Sequence, residues 1–437
     1  MFALLSGVAM ASLDSAIANI ALPTISREIG SSASATVWVV NAFQLGTALF
    51  LLPAAALGEI RGLKPVYATG MVSFGVSSLA CALSGTLAWL VLFRFFQGAA
   101  GALMAALAPA VIRRIQPPDR VACGLAAVAL TVAVSAAAGP SVAAAILSVA
   151  GWPWLFLINV PICVLGTSAY LRKASAGEAQ PRRFDLAGAL LSALALGLLV
   201  VGVDTLGVHR GAAVAEIAAG LMMAVVLVVH QSKQSDPLVP LDLMRIPLFS
   251  LSALTSVCSY SAQILAYVSL PFLFQTEQHR SAVETGLLVT PWPLLVMVAA
   301  PIAGRLIARY PAAVLGSLGL AALAIGLALL AALPASASAL DIAWRMGLCG
   351  IGFGFFQTPN NTTLMTAGPM RRSGAAGGMM ALARVSGWCL GSALVAVVFA
   401  LVPDRPTTVC LLLACGFAAV GAVVSVSRFG ARRGDPA

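Results

Sequence analysis

Asp14 stands inside ALLSGVAMASLDSAIANIALP, a stretch otherwise built of apolar and small residues. A carboxylate at the centre of an apolar span costs about 2.5–3.5 kcal/mol on insertion scales, so such residues are rare and usually functional. Arg94 has a similar setting in FRFFQGAAGALMAALAP. At about 100° per residue, Arg94, Gln97, Gly98 and Gly101 share one helix face, which Ala105 continues. A buried guanidinium needs a carboxylate, a carbonyl or water, and small residues let a second helix approach closely. Counted at 1.5 Å per residue from Pro23 and from the start of the Arg94 segment, both residues lie roughly 9–14 Å below one surface. The acid and the base can therefore meet if their helices are neighbours. An adjacent Arg favours the charged carboxylate and desolvation favours the neutral one, so small rearrangements can load or release a proton. A purely structural ion pair is the alternative.

Further polar residues interrupt apolar runs. Asn19, Gln44, Gln97, Tyr260, Gln263, Gln357 and Asn361 are candidates for the wall of a polar path, and Asn41, Asn159 and Asn360 belong to the same class. Asn19 lies about 140° around a helix from Asp14, so the two need not share a cavity. Gly139–Pro140, within AAAGPSVAAA, joins a lost backbone donor to a run of small residues, which suits a hinge, a gate or a tight helix contact. Glu284 reads as a first-turn acid favoured by the helix dipole. It and Arg384 are left open as further coupling residues.

Other chemistries find no support. The three lysines form no GxxxxGK[ST], and there is no HExxH and no GxSxG. The eight cysteines lie in apolar runs without CxxC spacing and read as small apolar residues. No enzyme and no cofactor are expected, and energy for any transport must come from an ion gradient or the membrane potential.

The elements that position these residues are helices in a bilayer. The chain of 437 residues is 60% hydrophobic and 9% charged, against about 25% charged in soluble domains. Mean hydropathy is +0.99. Fourteen segments reach the length of about 20 residues that a span needs, and the alternating ten-residue pattern of a barrel is missing. The first segment lacks a basic leader and reads as a span, not as a cleaved signal. A net charge of +10 would suggest nucleic acid in a soluble chain, but here it marks topology. With the N-terminus in the cytoplasm, 18 of the 25 Lys and Arg fall in inner loops and the tail, four in outer loops, and three (Arg94, Arg345, Arg384) within spans. Both termini are thus expected in the cytoplasm.

Polar connections divide the chain into residues 1–171 with six spans, 172–246 with two extra spans, and 247–437 with six more. The two sixes look related. The fourth span and the twelfth, WRMGLCGIGFGFFQTPN, each open with an aromatic and Arg and meet a proline 14 or 15 residues later. LGEIRGLKP after the second span has a counterpart, AGRLIARYP, after the tenth. Duplicated halves mark many secondary transporters.

LDSAIANIALP, LGEIRGLKP, FRFFQGAAGA, AAAGP, WPWLFLINVPI and GFGFFQTPNNT, in that order, resemble the major facilitator superfamily and its fourteen-span drug:proton antiporter branch. The resemblance implies an all-α membrane protein of two six-helix lobes plus two extra helices, working by alternating access as a proton-coupled exporter of small amphipathic compounds. It assigns proton coupling to Asp14 and control of proton transfer to Arg94. It implies a gating latch at Glu59, Arg61, Gly62 and Lys64, with Gly139 and Pro140 in the gating helix. The expected partners are a small-molecule substrate, protons and lipid, with no nucleic acid; the protein is expected to be a monomer in a bacterial inner membrane. Departures are Glu59 in place of the family's usual Asp, apolar Ile60 and Leu63 where basic residues are usual, and Ala143 and Ala144 after the Gly-Pro pair. A dedicated exporter of one natural product or metabolite, an importer, and a receptor or scaffold that moves nothing are the other readings.

Overall fold

A computed structural model of the chain describes residues 1–117, 120–173, 185–206, 209–234, 241–334, 336–368 and 373–432. The first half contains α1 (Phe2–Ile29), α2 (Ala33–Arg61), α3 (Leu63–Ala82), α4 (Leu87–Ile115), α5 (Val121–Val149), α6 (Pro153–Leu157) and α7 (Asn159–Lys173). An inserted pair follows, α8 (Leu186–Thr205) and α9 (Arg210–Gln231), then a short α10 (Leu241–Met244). The second half contains α11 (Pro247–Phe272), α12 (Ala282–Val289), α13 (Pro291–Leu306), α14 (Ala312–Ala331), α15 (Ala339–Thr366), α16 (Ser373–Leu401) and α17 (Pro406–Arg432). A π-turn, Leu273–Glu277, extends α11. Fourteen stretches are long and apolar enough to cross a membrane among the described residues, α6–α7 and α12–α13 each making one. An even number of crossings returns the chain to its starting face, termed here the terminal face; the opposite one is the far face.

The helices outlast the spans expected from composition. The first segment was bounded at Pro23, yet α1 continues to Ile29 with that proline inside it. Pro53, Pro109 and Pro359 are likewise internal. A proline removes one donor, and neighbouring helices and local adjustments satisfy the freed carbonyl within a bundle.

The halves repeat one packing scheme. In the first, α2 packs on α4, α3 on α4, α1 on α5, and α7 on both α1 and α3. In the second, α13 packs on α15, α14 on α15, α11 on α16, and α17 on both α11 and α14. Between halves, α5 meets α12 and α13, α16 meets α2, and α1 meets α11. Small residues make these contacts possible. A Cβ on Gly98 would lie 2.0 Å from the Phe43 carbonyl oxygen, and one on Gly350 would lie 2.3 Å from that of Trp292. Both are backbone-to-backbone approaches of the kind that draws helices together in lipid.

The inserted pair packs on itself, and α8 also touches α2 and α16. Trp38 Nε1 donates to Asp204 Oδ2 at 2.9 Å, fixing α2 to α8. At the terminal face Asp185 caps α8, accepting from Gly188 N at 2.8 Å and Gln231 Nε2 at 2.8 Å, and it lies 2.9 Å from His230 Nε2. Burial pushes the Asp185 carboxyl up, but the bonds from Gly188, His230 and Gln231 outweigh it and hold the carboxyl below its ordinary value.

Gly98→Val is expected to lower the melting temperature in detergent, because the obstacle is backbone that a rotamer change cannot clear; Gly197→Ala, where nothing lies within 4 Å, is the control. A depressed folded-state pKa stabilises above the free carboxylate value of about 3.9 and is lost as pH falls through the lowered value. Asp185→Ala should therefore speed amide exchange at the start of α8 at neutral pH and add little at the acid end of that window.

Candidate functional site

Asp14 and Arg94, expected at one depth, are in contact. Arg94 Nη1 lies 2.5 Å from Asp14 Oδ2, and each residue is 1% exposed. The rest of the cluster comes from four helices besides α1. Gln97 Nε2 and Asn159 Nδ2 donate to Asp14 Oδ1 at 3.0 and 2.7 Å. Both also reach Ser78 Oγ on α3, at 2.6 and 3.3 Å. Arg94 Nη1 donates to Gln97 Oε1 at 2.6 Å and Arg94 Nε to the Val39 carbonyl of α2 at 3.1 Å. The Phe43 and Phe156 rings lie 4.3 and 5.5 Å from the guanidinium carbon. Local sequence explains the convergence. Gly98, one turn from Arg94, brings α2 close enough for its carbonyl to be a ligand. The break at Ile158 between α6 and α7 turns Asn159 inward as the first residue of α7.

Chemically, the cluster holds one fixed positive charge and one protonatable group, with three donor side chains on a single carboxylate. A proton on Asp14 would remove the ionic attraction and occupy an acceptor position that a donor now fills. Gln97, expected in a cavity wall, is instead a fully buried member of this cluster. Asn159 was one polar residue among several, and Ser78 carried no signal.

The second half is different. Tyr260, Gln263 and Gln357, expected to line a path, come together with Trp388. Gln357 Nε2 donates to the Tyr260 hydroxyl at 3.1 Å, and Trp388 Nε1 donates to Gln263 Oε1 at 3.3 Å. The Tyr260 ring stands edge-on to Phe353, Phe356 and Trp388 at 5.5–6.5 Å. Trp388 was not foreseen. Asn361 is only partly buried and stays outside this group; its neighbour Asn360 donates to Ser256 Oγ at 2.7 Å and accepts from Arg428 at 2.8 Å. Arg345, the counterpart of Arg94, pairs instead with Asp341 at 2.9 Å, one turn away on its own helix.

Asn19 and Gln44 are buried, and among the described residues Asn19 Oδ1 and Gln44 Oε1 lack partners, as do both amide atoms of Asn41. Gly139 packs on Ala16 of α1, and Pro140 on Gly286 of α12. Gly62 takes φ 90° between α2 and α3, a region that glycine tolerates and L side chains rarely adopt. Arg61 is exposed and Lys64 partly so. The side chain of Glu59 lies outside the described residues. Glu284 is spent on a capping box with Ser281 at the start of α12.

Hydrogen bonds that cross between the halves lie toward the far face. Gln275 Nε2 donates to the Ile20 carbonyl at 2.9 Å, Thr24 Oγ1 donates to Gln275 Oε1 at 3.4 Å, and Ser141 and Thr290 share a bond of 3.0 Å. Toward the terminal face α5 exposes Ala129, Leu130, Val132 and Val134 on several sides. Among the described residues, the side-chain hydrogen bonds between the halves thus gather toward the far face.

The model of the Major Facilitator Superfamily matches residues 4–392. The chain belongs to this superfamily. It is 47% identical over 425 residues to "Uncharacterized transporter YebQ" of Escherichia coli (strain K12), covering 96% of this chain and 93% of that one. It is 29% identical to "Multidrug resistance protein Stp" of Mycobacterium tuberculosis (strain ATCC 25618 / H37Rv), covering 90% and 74%. It is also 29% identical to "Tetracenomycin C resistance and export protein" of Streptomyces glaucescens, covering 92% and 75%. The protein is thus a multi-pass membrane transporter, not an enzyme.

Removing one partner of a buried ion pair costs about 3–5 kcal/mol, because the other charge is left uncompensated. Asp14→Leu and Arg94→Leu are each expected to lower the melting temperature in detergent more than Asp14→Leu/Arg94→Leu does. Equal or additive losses would show that the charges are not coupled.

Proposed function

We propose that this transporter is a proton-coupled exporter of small amphipathic compounds, working by alternating access between lobes 1–171 and 247–437. The observation that carries the reading is the buried Asp14–Arg94 pair. It is the one place among the described residues where a single proton would reorganise contacts from five helices. In the resting arrangement Asp14 is charged and α1 is held against α4 and α7. A proton entering from outside neutralises Asp14, Arg94 keeps its bonds to Val39 and Gln97, and α1 is released. Ala16 contacts Gly139 next to Asp14, and Ile20 and Thr24 carry the far-face seal, so movement of α1 reaches the lobe interface.

In this reading the terminal face is cytoplasmic, as the distribution of Lys and Arg argues, and substrate enters from within the cell. The unpartnered polar atoms of Asn19, Asn41 and Gln44 suit a second state in which the far half opens and water or substrate meets them. Arg61 and Lys64 would serve as the latch that engages when the cytoplasmic side shuts. The protein then acts as a monomer in a bacterial inner membrane, without a cofactor. Export of one natural product is the second reading, favoured by the tetracenomycin C relative.

Proteoliposomes loaded with a substrate found by growth tests in a pump-deficient bacterium test the coupling. Efflux is expected to follow an imposed pH gradient and to stop when nigericin collapses it. Asp14→Asn should reduce gradient-driven efflux to the protein-free background while substrate exchange without a gradient persists. Full gradient-driven efflux by Asp14→Asn would remove the proposed role of Asp14.

A further inference from the structure

Arg384 lies in α16, 11 residues from Ser373 and 17 from Leu401, near the middle of its span. No hydrogen bond or ion pair engages it among the described residues, and its Nε is buried without a partner. The other deep arginines have partners: Arg94 has Asp14 and Val39, Arg345 has Asp341 and the Leu329 carbonyl, and Arg428, whose Nε is likewise unpartnered, bonds through Nη1 and Nη2 to Asn360, Ser252 and Ser425. A guanidinium at the bilayer centre is expensive, and such residues face an interior or a water-filled cavity.

Its direction follows from α16. Gly387 and Gly391 meet α11, whereas Val385, Cys389 and Ala393 pack with Leu45 of α2 and Val200 of α8. At about 100° per residue, Arg384 and Trp388 lie on the arc between those two contacts, toward the interior between the lobes. The guanidinium carbon is 5.4 Å from the Trp388 ring centroid. Trp388 stands edge-on to Tyr260 at 5.8 Å. Trp388 donates to Gln263 and Gln357 donates to Tyr260, whereas Arg384 is a donor of the same aromatic wall that bonds to none of them.

We propose that Arg384, Trp388 and Tyr260 form the substrate site and that it takes planar aromatic anions. A carboxylate or phenolate is held by the guanidinium fork, and the ring system packs on the tryptophan and tyrosine. This rests on the exporter reading of the same interior and gives its substrate a charge. Asp14 does not compete as a cation site, because its carboxylate oxygens are already filled by Arg94, Gln97 and Asn159.

Equilibrium dialysis of the purified protein in nanodiscs at neutral pH, with no gradient, tests the site. The probes are 2-naphthoate, its neutral isostere 2-naphthamide, and a naphthyl trimethylammonium cation. Naphthoate should bind about tenfold or more tighter than the amide, and the cation weakest. Arg384→Gln should bring naphthoate down to the amide, Arg384→Lys should keep part of the preference, and Trp388→Leu should weaken naphthoate and amide alike. Melting curves matching the wild type confirm that the variants are folded; where Arg384→Gln melts early, the Lys variant carries the comparison. A naphthoate preference that survives Arg384→Gln, no binding of naphthoate to the wild type, or cation binding as tight as naphthoate binding overturns the proposal. The measurement needs no proton gradient, so its outcome is separate from the coupling test: loss of gradient-driven efflux with anion binding intact falls on coupling alone.

Discussion

Two opposite charges closed off from water inside an apolar slab set the terms for the first half of this protein. Either charge alone would be a heavy penalty at 1% exposure. Together, with Gln97 and Asn159 on the free carboxylate oxygen and Val39 on Arg94 Nε, both oxygens of Asp14 and two nitrogens of Arg94 have partners. That requirement draws helices together. Arg94 reaches a backbone carbonyl of α2 only because Gly98 lets the helices touch, and Asn159 reaches Asp14 only because the chain breaks before α7. The packing of α1, α2, α3, α4 and α7 is therefore the geometry that one ion pair needs.

The second half keeps the scaffold and discards the pair. Its helices pack in the same order, and Gly350 approaches Trp292 as Gly98 approaches Phe43. Yet Arg345 turns to Asp341 on its own helix, and the interior holds an aromatic group around Tyr260. A repeated architecture has been specialised by side chains. On the proposed reading, the lobe with the ion pair handles protons and the lobe with the aromatic wall handles substrate. Keeping them apart avoids a conflict, since a ligand in direct contact with Asp14 would have to displace donors that the charged carboxylate needs.

Much of this was legible in the residues. Fourteen spans follow from apolar length, and the depth of Asp14 and Arg94 follows from helical rise, because both signals are carried by composition and a fixed geometry. Span ends were less legible, since Pro23 looks like a terminator and becomes one only where no neighbouring helix tolerates it. Partners were least legible. Val39 contributes a carbonyl that every residue has, Ser78 is an ordinary serine in an apolar helix, and Trp388 resembles any other membrane tryptophan until α11 is placed beside it. Gln97 was read as cavity wall because its face was polar, but the same face is polar because it holds Asp14. Sequence shows which side chains are expensive to bury and leaves the compensating group to tertiary structure.

One of the links between the two lobes is α1, and on the proposed reading its construction accounts for a local proton acting at a distance. Asp14 faces α4 and α7, Ala16 touches Gly139 of α5, and Ile20 and Thr24 meet Gln275. Eleven residues of one helix, about 15 Å from first to last at 1.5 Å per step, thus carry the ion pair, the contact with the Gly-Pro helix and the far-face seal. A helix of that length moves nearly as a rigid body, so releasing one end changes the register of the other two contacts together. The polar part of the seal is a few neutral hydrogen bonds, each worth about 0.5–1.5 kcal/mol net, set beside the apolar packing of α5 on α12. On the proposed reading the buried pair holds α1 in place, and the polar contacts of the seal open when it lets go.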